Sequence, residues 1–248
     1  MSDLPLDIAV TAGRDVPQGY LNGVLPPRLA RVAAPPSIVV LVGLQFEARI
    51  AAAPRILVVC RGADVDVSRS IGQAVDSGCR MMVSFGVAAG LDPGLRAGDC
   101  IIANEISDAS GRYRVDPLWC RKLSRVVRGA RTGCIAGIDA IVADPAAKLE
   151  LHRSTGAVAA DMESHIVARA AADHAIAFAA IRVVLDPAHR MLPEAALAAA
   201  GANGAVDTAS LARAVLARPS QLTSLGRLAF DAYVARKSLL RLRRLLGA

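Results

Sequence analysis

The chain has 248 residues, 54% of them hydrophobic and only 3% aromatic, with a formal net charge of +7. That apolar content suits an α/β protein packed with small side chains, and it excludes general disorder. The excess charge lies after position 210, where eight basic residues accompany one acid, Asp231, so the positive charge belongs to the tail and says nothing of the rest of the surface.

Residues 1–37 are rich in proline and read as an extended arm or linker. Short runs rich in β-branched residues follow at 37–44, 55–60, 80–86, 99–106, 133–138, 156–162 and 178–185, and predict strands buried on both faces. Helical stretches are predicted between several of them, at 66–78, 116–129, 144–154 and 162–174. Asp116-Pro117 and Asp144-Pro145 fit an N-cap followed by proline at the first helical position, and Gly78 and Gly129 fit helix stops. The closing segment, from Gln221, is helical in period and carries Arg236, Lys237, Arg241, Arg243 and Arg244. It reads either as a terminal helix packed on the domain, its cations complementing the helix dipole, or as a basic amphipathic helix lying on anionic lipid. Nucleic acid is set aside as a partner, because no stacking platform or recognised motif accompanies the charge.

Strands alternating with helices predict an α/β fold: a three-layer α/β/α sandwich around a central mixed, mostly parallel twisted sheet. The expected organisation is an arm at 1–37, a catalytic domain at 38–210, and a basic helical segment at 211–248 packed on or extending from it. Five cysteines, odd in number and without a CxxC pair, argue against a zinc site or a disulfide framework and for a reducing cytoplasm. His152, His165, His174 and His189 have no mutual metal-ligand spacing, so no metal is expected. Asp3 and Asp7 stand where a signal peptide would need basic residues, and no apolar run reaches the roughly 18–20 residues of a spanning helix.

In such folds ligands sit beyond the carboxyl ends of the strands, which is where the candidate residues fall. Gly86 and Gly90, in "SFGVAAGLDPG", would let backbone amides approach a phosphate or a sugar, or would simply make a turn. In "AADMESH", Glu163 is either a first-turn carboxylate favoured by the helix dipole or an acceptor for two ribose hydroxyls, with Met162 a soft apolar surface beside it. Asp186, in "RVVLDPAH", is either a cap or a buried acid with a raised pKa. Glu47, in "GLQFEARIA", is a loop carboxylate that either pairs with Arg49 or activates a water.

Taken together, the order "GLQFEA", "SFGVAAGLDPGLRAGDCIIANEI", "GIDAIV", "AADMES", "IRVVLD" resembles the nucleoside phosphorylase/nucleosidase superfamily over about Ile38 to His189, and within it the methylthioadenosine/S-adenosylhomocysteine nucleosidase branch. The Ala-rich "LPEAALAAAGANG" and the basic terminal helix resemble the hopanoid-biosynthesis-associated phosphorylase subgroup, which is held to remove adenine from adenosylhopane. The resemblance implies cleavage of a C1′–N9 bond, with Asp186 protonating purine N7, Glu163 and Met162 holding the ribose, Ile141 and Val142 packing on the base, and Glu47 as general base for water. It also implies that Asp161, Gly86 and Val87 contribute to the substrate site, and that a homodimer forms. Three departures matter: Val87 replaces a hydroxyl residue, Asp161 replaces a glutamate, and Leu185 replaces a serine. Arg49, Arg61 or Arg182 could still supply a phosphate site, so inorganic phosphate stays open as a co-substrate, and no other cofactor is expected. The expected substrate is a small-molecule or lipid-linked adenosine. The expected setting is the cytoplasm or the inner face of its membrane, reached through the terminal helix. Two alternatives stand beside this: a methylthioadenosine/S-adenosylhomocysteine nucleosidase, and a non-catalytic nucleoside-binding or membrane-peripheral protein.

Overall fold

In the structure, a computed structural model, residues 36–61, 66–199 and 207–245 are described. All but the end of the expected arm at 1–37 lies outside them. Seven of the eight strands coincide with the predicted runs: β1 (Ile38–Val42), β2 (Ile56–Cys60), β3 (Met81–Gly90), β4 (Cys100–Asp108), β6 (Arg131–Gly137), β7 (Ala159–Asp161) and β8 (Ala177–Asp186). The eighth, β5 (Gly111–Arg114), returns antiparallel along β4. Its "GRYR" offers no apolar run, so the alternation signal for a strand is absent there.

Sheet order runs β2-β1-β3-β7-β6-β4-β5, and β8 pairs both with β3 and with β4. The sheet therefore closes: β3, β7, β6, β4 and β8 form a ring, with β1 and β2 continuing it on one side. Five of the eight pairings are parallel and three, β3–β7, β4–β5 and β4–β8, are antiparallel, which makes the sheet mixed and mostly parallel as expected. Closure is a feature that strand periodicity does not carry, because it depends on which distant strands pair. Val39–Val42, Met82, Phe85, Ile101, Ile102, Ile106, Ile135, Ile181 and Val183 are all but solvent-free and make one core.

Eight α-helices lie among the described residues: α1 (Gln45–Ala51), α2 (Val67–Asp76), α3 (Pro117–Val126), α4 (Pro145–Thr155), α5 (Ser164–Asp173), α6 (Glu194–Ala199), α7 (Thr208–Ala217) and α8 (Leu222–Leu242). The two Asp-Pro starts behave as the sequence predicts. Asp116 Oδ1 accepts from the amides of Leu118 and Trp119, and Asp144 Oδ1 from those of Ala146 and Ala147. α4 ends on Gly156 in the left-handed region, φ 71°, where a side chain would be strained. α1 and α6 fall outside the predicted helical stretches, and Glu47, expected on a loop, stands in the first turn of α1. α8 packs along β8 through Asp231, Ala235, Leu239 and Leu242, and Arg243 donates to the carbonyl of Ala52 just past α1.

Two backbone features aim side chains into one place. Pairing of β3 with β8 slips after Ala88↔Val184, so that Ala89 faces Asp186 and Leu185 is the extra residue. Such a bulge turns consecutive side chains toward one side. β1, β3 and β8 run parallel and end at the same end of the sheet, where β7 meets the last residues of β3 antiparallel at Ala89↔Ala160 and Gly90↔Ala159. Replacing the capping side chain in Asp116→Ala strands two amides of α3, and we expect a loss of about 1 kcal/mol in urea unfolding with the sheet's circular dichroism unchanged.

Candidate active site

The carboxyl ends of these strands surround a cavity of about 530 Å³. Its walls are largely apolar, from Leu44, Val87, Ile138, Ile141, Val142, Met162, Leu185 and Leu192, and five charged residues reach it: Glu47, Arg61, Asp161, Glu163 and Asp186. The two carboxylates at the ends of β7 and β8 that the sequence singles out, Glu163 and Asp186, thus line one space.

On one wall four charged side chains share a buried cluster around Arg182, which rises from the middle of β8 with no exposed surface. Its Nε lies 2.7 Å from Asp161 Oδ2, its Nη2 lies 3.3 Å from Glu163 Oε2, and it donates to Ser84 Oγ and the carbonyl of Val87. Burial works against the Arg182 charge, but Asp161, Glu163 and Glu47 outweigh it and raise its pKa. Arg182 is therefore spent on carboxylates, and the expectation that it could bind phosphate gives way to a role as their counter-ion. Arg49 is exposed on α1 and does not line the cavity. Arg61 does line it, its Nη1 3.9 Å from Glu163 Oε1.

Glu47 is held by three backbone amides. Oε2 accepts from Gly43 at 3.0 Å and Leu44 at 2.8 Å, and Oε1 accepts from Val87 at 2.7 Å. The helix-start geometry thus fixes the carboxylate across to β3 instead of leaving it on a loop. Burial pushes its pKa up, against the pull of Arg182 and the three amides. Arg49, the partner the sequence offers it, takes no part in these contacts. Gly86 does not line the cavity. A Cβ there would sit 2.4 Å from Glu47 Oε1 and 2.7 Å from Arg182 Nη1, so this glycine makes room for the ion cluster. Gly43 does the same for Glu163, whose Oε1 would be 2.5 Å from an added Cβ.

Asp161 uses both of its oxygens within the protein. Oδ1 caps α5 by accepting from the amides of Glu163 and Ser164, and Oδ2 faces Arg182 and the Ser164 hydroxyl. Glu163 is left as the carboxylate of this cluster that meets the cavity with the fewest protein partners. Burial raises its pKa to about 7, with Asp161 and Glu47 adding to the push and Arg182 and Arg61 opposing it.

Asp186 is held differently. Asp186, 4% exposed, has its Oδ2 2.6 Å from Nζ of Lys148, a lysine with no exposed surface that nothing in the sequence singles out. Burial raises the Asp186 pKa to about 6, Lys148 opposes the rise, and Asp231 adds to it. Met162, half-buried, lines the cavity too, as do Ile138, Ile141 and Val142, with Ile141 about half exposed.

A match to the family model described as the phosphorylase superfamily extends over residues 62–217. The chain belongs to the phosphorylase superfamily. It is thereby a member of a family of glycosyl-bond-cleaving enzymes. Among solved structures it is similar to 5′-methylthioadenosine/S-adenosylhomocysteine nucleosidase of Helicobacter pylori, with 15% identity, a TM-score of 0.57, and coverage of 83% of this chain and 97% of that one. The Neisseria meningitidis nucleosidase of the same name gives 16% identity and a TM-score of 0.56 over 85% and 99% of the two chains. Futalosine hydrolase of H. pylori gives 16% and 0.53 over 61% and 88%. At these identities the likeness is one of fold. No curated protein matches the chain significantly.

The ion cluster makes a direct prediction. Arg182→Met leaves three buried carboxylates facing one another, and we expect it to cost roughly 3–5 kcal/mol in urea unfolding at pH 8. Arg182 holds Glu163 down to about 7, so its removal raises that pKa further, and the loss should shrink as the pH falls toward 7, where Glu163 takes a proton in the variant while still ionised in the parent chain.

Proposed function

We propose that this member of the phosphorylase superfamily cleaves the N-glycosidic bond of a 5′-substituted adenosine and releases adenine. The observation that carries the reading is that Asp186 and Glu163 both line one apolar cavity, each with a raised pKa but with different charged partners. Adenine leaves poorly as an anion. Asp186 gives a proton to N7 as the C1′–N9 bond breaks, and the bonding pair goes to the base. The ribose gains oxocarbenium character, which the nearby carboxylates stabilise. Glu163 accepts hydrogen bonds from the 2′- and 3′-hydroxyls, Met162 covers a face of the sugar, and Ile141 and Val142 cover the base. Asp161 acts at one remove, by capping α5 and holding Arg182.

Water is the nucleophile these surroundings favour. Glu47 is buried, its pKa is raised, and it lies at the cavity wall, so it takes the proton of the attacking water. Val87 offers no hydroxyl to a phosphate, and Arg182 is committed to carboxylates. Arg61 beside Glu163 favours a second reading in which inorganic phosphate attacks C1′. No cofactor beyond this nucleophile enters either reaction.

The 5′ substituent we infer is a bulky apolar chain, with adenosylhopane, a hopanoid precursor, as the substrate the subgroup resemblance favours. The apolar residues around the cavity support it. So does α8, whose exposed side carries Phe230, Tyr233 and Leu240 together with Arg227, Arg236, Lys237 and Arg241. Such a face suits peripheral contact with anionic lipid at the inner surface of a membrane. No helix among the described residues is long and apolar enough to cross one. A homodimer remains part of the proposal, and sedimentation velocity checks it.

The test is adenine release from 5′-alkyl-5′-deoxyadenosines of increasing chain length, compared with methylthioadenosine and S-adenosylhomocysteine, with and without phosphate. Rates should rise with chain length and fall on the order of 10²–10⁴-fold in Asp186→Asn. A free sugar marks water and a sugar 1-phosphate marks phosphate. A preference for the two small thioethers would assign the small-substrate nucleosidase, and no adenine from any substrate would favour a non-catalytic nucleoside-binding protein. Glu163 adds a pH dependence. Its hydrogen bonds to the ribose need the ionised form, so KM should be flat above about pH 7 and rise about tenfold per unit below it.

A further inference from the structure

Lys148 is the one lysine among the described residues with no exposed surface, and the chemistry outlined so far makes no use of it. Its Nζ meets only acceptors: Asp186 Oδ2 at 2.6 Å, the Arg190 carbonyl at 2.8 Å, the Pro187 carbonyl at 3.2 Å and the Asp186 carbonyl at 3.4 Å. An amine ringed by four oxygens and no donor is an ammonium with its three hydrogens spent. It comes from the second turn of α4, directly after the 138–144 segment that carries Ile141 and Val142 to the cavity. Leu192 also donates to the Ala143 carbonyl, which ties the same segment to the chain beyond Asp186. Arg190, whose carbonyl Lys148 binds, places Nε and Nη2 each 2.9 Å from Asp231 Oδ2 on α8.

We propose that Lys148 is a positioning residue for Asp186: its ammonium occupies Oδ2 and fixes the carboxyl so that Oδ1 is the oxygen that meets the leaving base. The inference rests on the glycosidic-cleavage reading above and deepens it. The Lys148 contact falls on Oδ2, which leaves Oδ1 as the oxygen that carries the proton. When the proton passes from Oδ1 to N7 and the C1′–N9 pair goes to the base, Asp186 is left as a buried carboxylate. Lys148 is the positive charge already in contact with it, so the product of the proton transfer is paired at once and Asp186 is a stronger acid than burial alone would make it. The same ammonium holds the turn 186–190 against the helix that follows the base wall, so the acid and the surface the base rests on are set in one piece. The charged groups around Asp186 are Lys148 from α4, Asp231 from α8, and Arg190 from its own turn, and of these only Lys148 touches it.

Adenine itself is the probe, because it uses the base wall and needs no ribose contact to Glu163. Calorimetric affinity for adenine, measured from pH 5 to pH 9, should be high where Asp186 is protonated and fall as the pH rises through about 6. In Lys148→Met, and in Lys148→Gln, which keeps a donor but not the charge, the alkaline fall should move up by about one pH unit or more. A folded variant that binds adenine with an unmoved fall overturns the proposal, whatever its rate. Adenine that binds the wild-type chain at no pH overturns the glycosidic reading instead. Should Lys148→Met not fold, Lys148→Met with Asp186→Asn decides. Recovery of folding in the pair shows the ammonium and the acid to be partners, whereas no recovery shows that Lys148 serves only the turn carbonyls and sinks the idea.

Discussion

A guanidinium in the middle of a buried strand is the constraint from which the Glu163 side of the cavity follows. Arg182 cannot sit uncompensated in a core where Ile181 and Val183 on either side of it are shut off from solvent. The carboxylates that accompany it, Asp161, Glu163 and Glu47, cannot sit there without it either. Each comes from a different part of the chain: the end of β7, the start of α5, and the first turn of α1. Gly43 and Gly86 are glycines because the cluster fills the space where their side chains would be. The turn after β1, the path of β3 and the entry to α5 are thereby set by one arginine. Three carboxylates against that arginine, with Arg61 at a distance, leave the wall short of positive charge. The shortage, with burial, keeps Glu163 close to neutrality in its titration.

The surroundings of Asp186 obey another rule. There a single carboxylate meets a single ammonium, and beyond them Arg190 meets Asp231, so cation and anion alternate. Asp186 differs from Glu163 in that its cation is in direct contact at 2.6 Å, while the carboxylate that adds to its rise, Asp231, is itself paired with Arg190. Two acids in one cavity thus acquire different tendencies from their neighbours. That division suits a reaction in which one group must give up a proton and the other must stay an acceptor.

Strand ends were legible because buried strands announce themselves by apolar runs, and residues that punctuate such runs with charge stand out. Asp186 and Glu163 were found in that way. Glu47 was found as a residue but assigned to a loop, since "QFEARIA" is too short for its period to be recognised and its helical start depends on contacts to Gly43, Leu44 and Val87. Arg182 stands in the sequence as one of three arginines that could bind phosphate, because one-dimensional reasoning cannot tell whether an arginine in a strand faces a ligand or its own carboxylates. Lys148 had no signal at all. In "DPAAKLELHRS" it is one polar residue of an ordinary helix, and only the meeting of α4 with the turn after β8, about 40 residues on, gives it a partner. Ring closure of the sheet and the bulge at Leu185 are hidden for the same reason: both are properties of pairing between distant strands.

The charge of the tail shows how far composition alone can mislead. Read along the sequence it is a block of cations, yet α8 sorts it by face. The one acid of the helix, Asp231, turns inward with Ala235, Leu239 and Leu242 and binds Arg190, while Arg227, Arg236, Lys237 and Arg241 stay in solvent beside Phe230, Tyr233 and Leu240. Burying the acid with its own partner removes the anion that would otherwise offset those cations. The inner face of α8 is thus part of the electrostatic surroundings of Asp186, and the outer face is a basic surface with apolar side chains standing on it. A helix built only to cover β8 would need the first of these and not the second, and the proposed contact with lipid rests on those exposed aromatic and basic side chains.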